Sequence, residues 1–218
     1  MAEGSPVGRR DALRNRRLLT DQARAVFAEQ GLDAPLDEIA RRAGVGNATL
    51  YRHFPTRAAL VEEVFRDALS ETMAAGERAR TAEDAWTGLT DYLRYVFHGL
   101  AEDRGANDLM TTNLADVPSL KAIHAHNRET VGTLLRRGRE QGTIRPDVTP
   151  EDLLLALAAF GRTVPALTAV APDAWLRPLD LLISGLRPHP TTPPLPAPSL
   201  TPAQLGDVLS ELAPHKGR

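Results

Sequence analysis

The chain contains no cysteine. That absence excludes disulfides, thiolate metal ligands and a Cys nucleophile. Aromatic residues are scarce, with two Trp, three Tyr and five Phe in 218 residues. Runs of β-branched residues are nearly absent, which argues against sheets. The apolar share is filled mostly by Leu and Ala, both strong helix formers. Long hydrophobic runs are also missing. The longest, Leu153 to Phe160, has eight residues, far short of the ~20 needed to span a bilayer. Met1 to Arg17 is polar and basic and has no secretory apolar core. These absences lead to an all-α protein, expected to be cytoplasmic.

The net charge of −2 conceals an uneven distribution. Residues 1–57 hold ten Arg against seven acids, a balance of +3, and the remainder holds sixteen Lys/Arg against twenty-one acids, or −5. A basic head on an acidic body suits a head that meets a polyanion.

Residues 1–10, with Gly4, Ser5, Pro6 and Gly8, read as a disordered arm, and residues 11–57 as a small helical head. A first helix carries Leu19, Ala23, Val26 and Phe27 on one stripe and stops at Gly31. Pro35 suits the first turn of a second helix, whose apolar face is Leu36, Ile39, Ala40 and Ala43. After Gly44-Val45-Gly46 a short third helix runs from Asn47 to Phe54, and Thr56 caps a fourth, the connecting helix over 57–75. The body is expected over 76–187. One stripe joins Trp86, Leu89, Leu93, Val96, Phe97 and Leu100. A short helix falls near Leu109 to Leu114, and a long one carries Leu120 to Leu135. Thr149-Pro150-Glu151-Asp152 starts a helix extending to about Thr168. Another runs from Asp173 to Leu186, with Trp175, Leu179, Leu182, Ile183 and Leu186 on one face. Residues 188–218 form a tail: a stiff linker over 188–202, holding seven of the seventeen prolines, then a weak helix over Gln204 to Leu212. This tail is expected to be dispensable for DNA binding, unless Leu205, Val208, Leu209 and Leu212 dock it on the body.

Helix, three-residue turn with glycine, short helix is the helix-turn-helix pattern. Glycine permits the backbone angles of so tight a turn, and the short second helix fits a major groove. An ordinary αα-hairpin has the same spacing. The distinction lies in the outer face, where Asn47, Thr49, Tyr51, Arg52 and His53 offer donors for phosphates and base edges.

The run LDEIARRAGVGNATLYRHFPTRAALVEEVF resembles the DNA-binding domain of the tetracycline-repressor (TetR) family. It carries "IA..AGV", "TLY.HF" and "FP.R..L", and the resemblance covers residues 14–69. "GTIRPDVTPEDLLL" is similar to a body segment of several family members. The resemblance implies a helix-turn-helix head on a helical ligand-binding and dimerisation domain. It implies phosphate contacts for Tyr51 and His53, a groove face of Asn47, Ala48, Thr49 and Arg52, and a phosphate held by Arg57. Family members often have Ser or Thr where this chain has Pro35, and Ser where it has Gly46. Docking is therefore expected to lean on arginines such as Arg10 and Arg17. The implied pocket has Trp86, Leu89, Tyr92, Leu93, Val96, Met110, His124 and Phe160 as candidate lining, although an aromatic at helical spacing also serves as core.

Other signals fall away. Gly44-Val45-Gly46 lacks the third glycine of a dinucleotide fingerprint and follows a helix. His124 and His126 point apart on a helix, which disfavours a metal site with His98. Glu62-Glu63 and Glu102-Asp103 read as solvated faces. No cofactor motif and no nucleophile–base pair are present. The reading is a homodimeric repressor on a near-palindromic double-stranded operator, released by a small-molecule effector, with the last two body helices pairing across the dimer. The alternative is an all-α small-molecule-binding protein or enzyme whose head does not read DNA.

Overall fold

The computed structural model describes residues 6–111, 117–191 and 193–211. Among these residues every regular element is a helix. They run α1 Pro6–Gln30, α2 Leu36–Arg42, α3 Asn47–His53, α4 Arg57–Thr81, α5 Ala85–Glu102, α6 Arg104–Thr111, α7 Pro118–Glu140, α8 Pro150–Gly161, α9 Val164–Val170, α10 Leu176–Ser184 and α11 Pro202–Glu211. The expected all-α class, a three-helix head on a larger helical body, is what forms.

Two cores organise the chain. In the head, Leu19, Ala23, Val26 and Phe27 of α1 bury against Ile39 and Ala40 of α2, Leu50 of α3, Phe54, and Leu60, Val61, Val64 and Phe65 of α4. The Phe27 and Phe65 rings stack at 6.3 Å. The body gathers Leu89, Leu93, Phe97, Val131, Leu134, Leu135, Leu153, Trp175, Leu179 and Ile183. Met110 of α6 packs against both cores.

The sharp turn after α2 is a complete Schellman motif. Gly44, at φ +68°, donates to the Arg41 carbonyl (3.2 Å), and Val45 donates to the Ala40 carbonyl (3.0 Å). Val45 then packs on the head core. Neither α2 nor α3 has a side-chain cap, since Pro35 and Gly46 stand at the two N-cap positions. Pro35 therefore precedes α2 instead of occupying its first turn.

Several sequence expectations are revised. The arm expected over 1–10 overlaps α1, which already includes Pro6 to Arg10; Pro tolerates a first helical turn because its missing N–H has no partner there. The helix α4 does not stop near Ala75. Gly76 stays inside the helix, and glycine is needed there because α7 lies too close for a side chain: a Cβ would stand 2.2 Å from His126 Nε2. The short helix near Leu109 to Leu114 lies earlier, as α6, and residues 112–116 are outside the described set. The single helix expected from Pro150 to Thr168 is two. Pro165 has no N–H to give the Gly161 carbonyl, and Asn107 Nδ2 takes that carbonyl instead at 2.7 Å. The start of α8 falls where expected, and the structure adds a capping box in which Thr149 and Asp152 satisfy each other's backbone N–H groups (2.9 and 3.2 Å).

The acidic pairs are more than solvated faces. Glu62 Oε2 accepts from the Ser119 N–H and hydroxyl (3.2 and 2.8 Å), capping α7 from a different helix. Glu63 accepts from Arg16 and Arg66, both at 2.8 Å. Asp103 Oδ1 caps α6 through the Ala106 N–H at 2.9 Å. No single helix among the described residues is long and apolar enough to cross a membrane; the bent pair α8–α9 passes that test only when its two helices are taken together.

Candidate nucleic-acid interface and ligand cavity

The third helix is seven residues long and spends few of them on the core. Leu50 is buried; Asn47, Ala48, Tyr51 and Arg52 are exposed, and Thr49 and His53 are half-buried. Tyr51 leaves 53 % of its surface in water, although it is one of only three tyrosines. A stability role does not account for such a side chain on so short a helix. Asn47 and Tyr51, and likewise Ala48 and Arg52, are four residues apart and so share a face.

This face is held from behind by Arg16, a residue to which the sequence assigns no role. Its guanidinium lies 4.6 Å over the Phe54 ring. It donates to the His53 carbonyl (3.3 Å) and to Glu63 Oε2 (2.8 Å), tying α1 to the end of α3 and to α4. The arginines of α2 are internally committed. Arg41 and Arg42 hold the Glu38 carboxyl down to about 2, and Arg42 also bonds Glu29. Burial, then Arg16 and Arg52, push the His53 imidazole below its ordinary value, so it is neutral near pH 7.

Arg10 and Arg17 are exposed on α1. With exposed Arg14 they are spaced i, i+4, i+7, one cationic stripe. Arg57, expected at a phosphate, donates through Nη1 to the Leu32 and Ala34 carbonyls (2.6 and 2.7 Å) and braces the loop before α2.

The body holds a cavity of about 320 Å³. Tyr92, Leu93, Val96, Phe97 and Leu100 of α5 form one wall; Met110 and Thr111 of α6, His124, Ala125, Asn127, Arg128 and Val131 of α7, Leu154, Leu157 and Ala158 of α8, and Leu205, Gly206 and Leu209 of α11 supply the rest. Polar chemistry is confined to a few points. The Tyr92 hydroxyl donates to Asn127 Oδ1 at 2.6 Å, and burial raises its pKa. Arg128 pairs with Glu151, and burial lowers the pKa of the His124 imidazole at the cavity edge.

Of the eight candidate lining residues, the cavity gathers Tyr92, Leu93, Val96, Met110 and His124. Three go elsewhere. Leu89 is fully buried in the body core, Trp86 carries the Arg187 guanidinium 3.5 Å over its ring, and Phe160 stacks on Phe97 at 4.9 Å. The α5 stripe does continue to Trp86 and Leu89, but at that end α5 packs so tightly on α4 and α7 that a Cβ on Gly88 would stand 2.7 Å from the Ala79 carbonyl. Sequence reasoning missed Asn127, Arg128 and Thr111, as well as the tail residues. The histidines part company: His126 is buried beside Gly76, His98 pairs with Glu102 at 3.3 Å, and His124 faces the cavity.

The sixth helix joins cavity to head. Met110 and Thr111 line the cavity. Two residues earlier, Asp108 Oδ2 accepts the Leu32 N–H at 3.0 Å, just past the end of α1. Gly105 lets α6 press on the head, since a Cβ there would be 2.9 Å from both Phe27 Cβ and Phe65 Cζ.

A helix-turn-helix head with a polar outward face, packed against a hollow helical body, defines a ligand-responsive DNA-binding transcriptional regulator. Residues 19–64 match the family described as bacterial regulatory proteins, tetR family, and residues 84–188 match the SbtR-like transcriptional regulator C-terminal domain. The chain is 30% identical over 152 residues to the HTH-type transcriptional repressor KstR2 of Mycolicibacterium smegmatis, covering 66% of this chain and 71% of that one. It shares its fold with SmeT, the repressor of a Stenotrophomonas maltophilia multidrug efflux pump (22% identity, 83% and 97% of the two chains, TM-score 0.58). A regulator from Chloroflexus aurantiacus is similar again (23%, 80% and 95%, 0.58). The chain belongs to the tetR family of regulatory proteins. Such regulators bind operator DNA and small molecules, act as dimers, and are normally not enzymes.

Proposed function

We propose that this protein is a cytoplasmic homodimeric repressor that leaves a near-palindromic operator when an apolar small molecule enters the body cavity. The observation that carries this reading is the position of α6, with Met110 at the cavity and Asp108 on the head's Leu32. A ligand that shifts α6 changes the support under α1 and so the set of the head. In energetic terms, the ligand favours the state with the poorer operator affinity. The lining suits a mostly apolar molecule with one polar group near Tyr92, Asn127 and His124. The kinship with KstR2, a repressor by name, supports repression.

In this reading Asn47, Ala48, Thr49 and Arg52 face base edges and adjoining backbone, Tyr51 and His53 meet phosphates, and the Arg10–Arg17 stripe adds backbone contacts. The test is fluorescence anisotropy on DNA beside the protein's own gene. Tyr51→Ala is expected to weaken binding to all sequences and flatten its salt dependence, and Asn47→Ala to change sequence preference. Compounds that raise the melting temperature in a metabolite screen are expected to weaken operator binding. If they tighten it instead, the ligand is a co-repressor.

A pH dependence follows from His53. Its pKa is depressed in the free head, and phosphates raise it in the complex, so binding takes up a proton. Operator affinity is expected to rise as pH falls through the bound-state pKa and to level off below the free-state pKa. His53→Gln should remove that slope; an identical slope in the variant would show that His53 does not meet a phosphate.

A further inference from the structure

The matched regulatory domain ends at residue 188, yet the chain returns to the cavity beyond it. The path is pinned. Arg145 holds Asp147 through paired bonds of 2.6 and 2.8 Å and also donates to the Pro193 carbonyl at 3.2 Å, while Asp147 accepts the Leu195 N–H at 2.8 Å. The helix α11 then begins with a reciprocal cap between Thr201 and Gln204 (2.9 and 3.3 Å). On this terminal helix Leu205 is only 1 % exposed, and with Leu209 it lines the cavity together with Tyr92 of α5 and Leu154 and Leu157 of α8, the helix on which α11 packs. A weak ten-residue helix is marginal alone in water; what it gains here is the burial of those leucines.

We propose that α11 is a wall of the ligand site and that Leu205 sets the length of apolar ligand the site accepts. This rests on the cavity being the ligand site. The wall is tail-borne, so ligand selectivity is adjustable without touching the core of the body. A ligand lying along α5 and α7 ends against Leu205, and removing that side chain extends the available channel by the carbons removed.

The test uses the full-length protein, with 1-anilinonaphthalene-8-sulfonate as a fluorescent probe and n-alkanols of about six to about twelve carbons as competitors, each methylene adding a similar increment of affinity while it still fits. Leu205→Ala is expected to move the best-competing alkanol longer by about three carbons, and Leu205→Trp to move it shorter. Asp147→Asn, which loosens the linker without touching the cavity, is expected to weaken the probe by roughly threefold to tenfold. Val96→Trp fills the cavity from α5 and should abolish probe binding, which places the probe there. An unchanged length preference in both Leu205 variants would overturn the wall while leaving the ligand cavity standing. A wild-type protein that binds no probe would overturn both. Probe binding that tightens in Asp147→Asn would make α11 a plug, which also contradicts the proposal.

Discussion

Leu181→Asp is expected to turn the protein into a monomer and reduce operator affinity by roughly 10²–10⁴-fold, the loss that follows when two linked heads become independent. The apolar face expected to meet a partner, with Trp175, Leu179, Ile183 and Leu186, is buried within the chain itself, and Leu182 is half-buried. Leu181 points the other way and is 67 % exposed. An aspartate there meets water in the isolated chain and leaves folding intact. In a two-fold dimer paired through α8 and α10 it appears twice, and each unpaired carboxylate costs several kcal/mol to bury. Light scattering should give half the wild-type mass, with an unchanged helical spectrum. A variant that stays dimeric with full operator affinity would remove α10 from the dimer face.

Gly105→Val is expected to mimic the ligand-bound state. The added side chain meets Phe27 and Phe65 and wedges α6 off the head. Overpacking of this kind typically costs 1–3 kcal/mol, so operator affinity should fall by roughly tenfold to a hundredfold with no ligand present. Gly99→Ala is the control. It sits on the neighbouring helix with open space at its Cβ position and should leave DNA binding alone. A Gly105→Val protein that melts earlier but binds operator as wild type does would show that α6 supports the head without communicating with it.

The head was legible in the sequence because its determinants are local. The Gly44 turn, the 3.6-residue stripes and the polar outer face of α3 depend on neighbours within a few positions. The body was legible only where the same held, as at the Thr149–Asp152 start of α8. What escaped is made by partners far apart in sequence. Arg16 reads as one more surface arginine until Phe54 and Glu63 are brought beneath it. The cap on α7 comes from Glu62, on another helix. The break at Gly161 follows from Pro165, which the continuous apolarity of the stretch masks. The tail reads by its prolines as a linker, and whether Leu205 docks depends on a cavity that no periodicity reveals. Trp86 and Phe160 enter the candidate lining only through the pocket that the resemblance implies; packing gives one to Arg187 and the other to Phe97.

The measurement that tests the account most directly is in vitro selection from a random double-stranded DNA pool, with the full-length wild-type protein and with Arg52→Ala in parallel at one fixed salt concentration. The wild type is expected to enrich an inverted repeat whose half-site centres lie ~34 Å apart or somewhat more, and Arg52→Ala is expected to lose preference at the same position in both halves. A wild-type pool indistinguishable from the starting library, or a motif without two-fold symmetry, would contradict the claim that two copies of α3 read an operator.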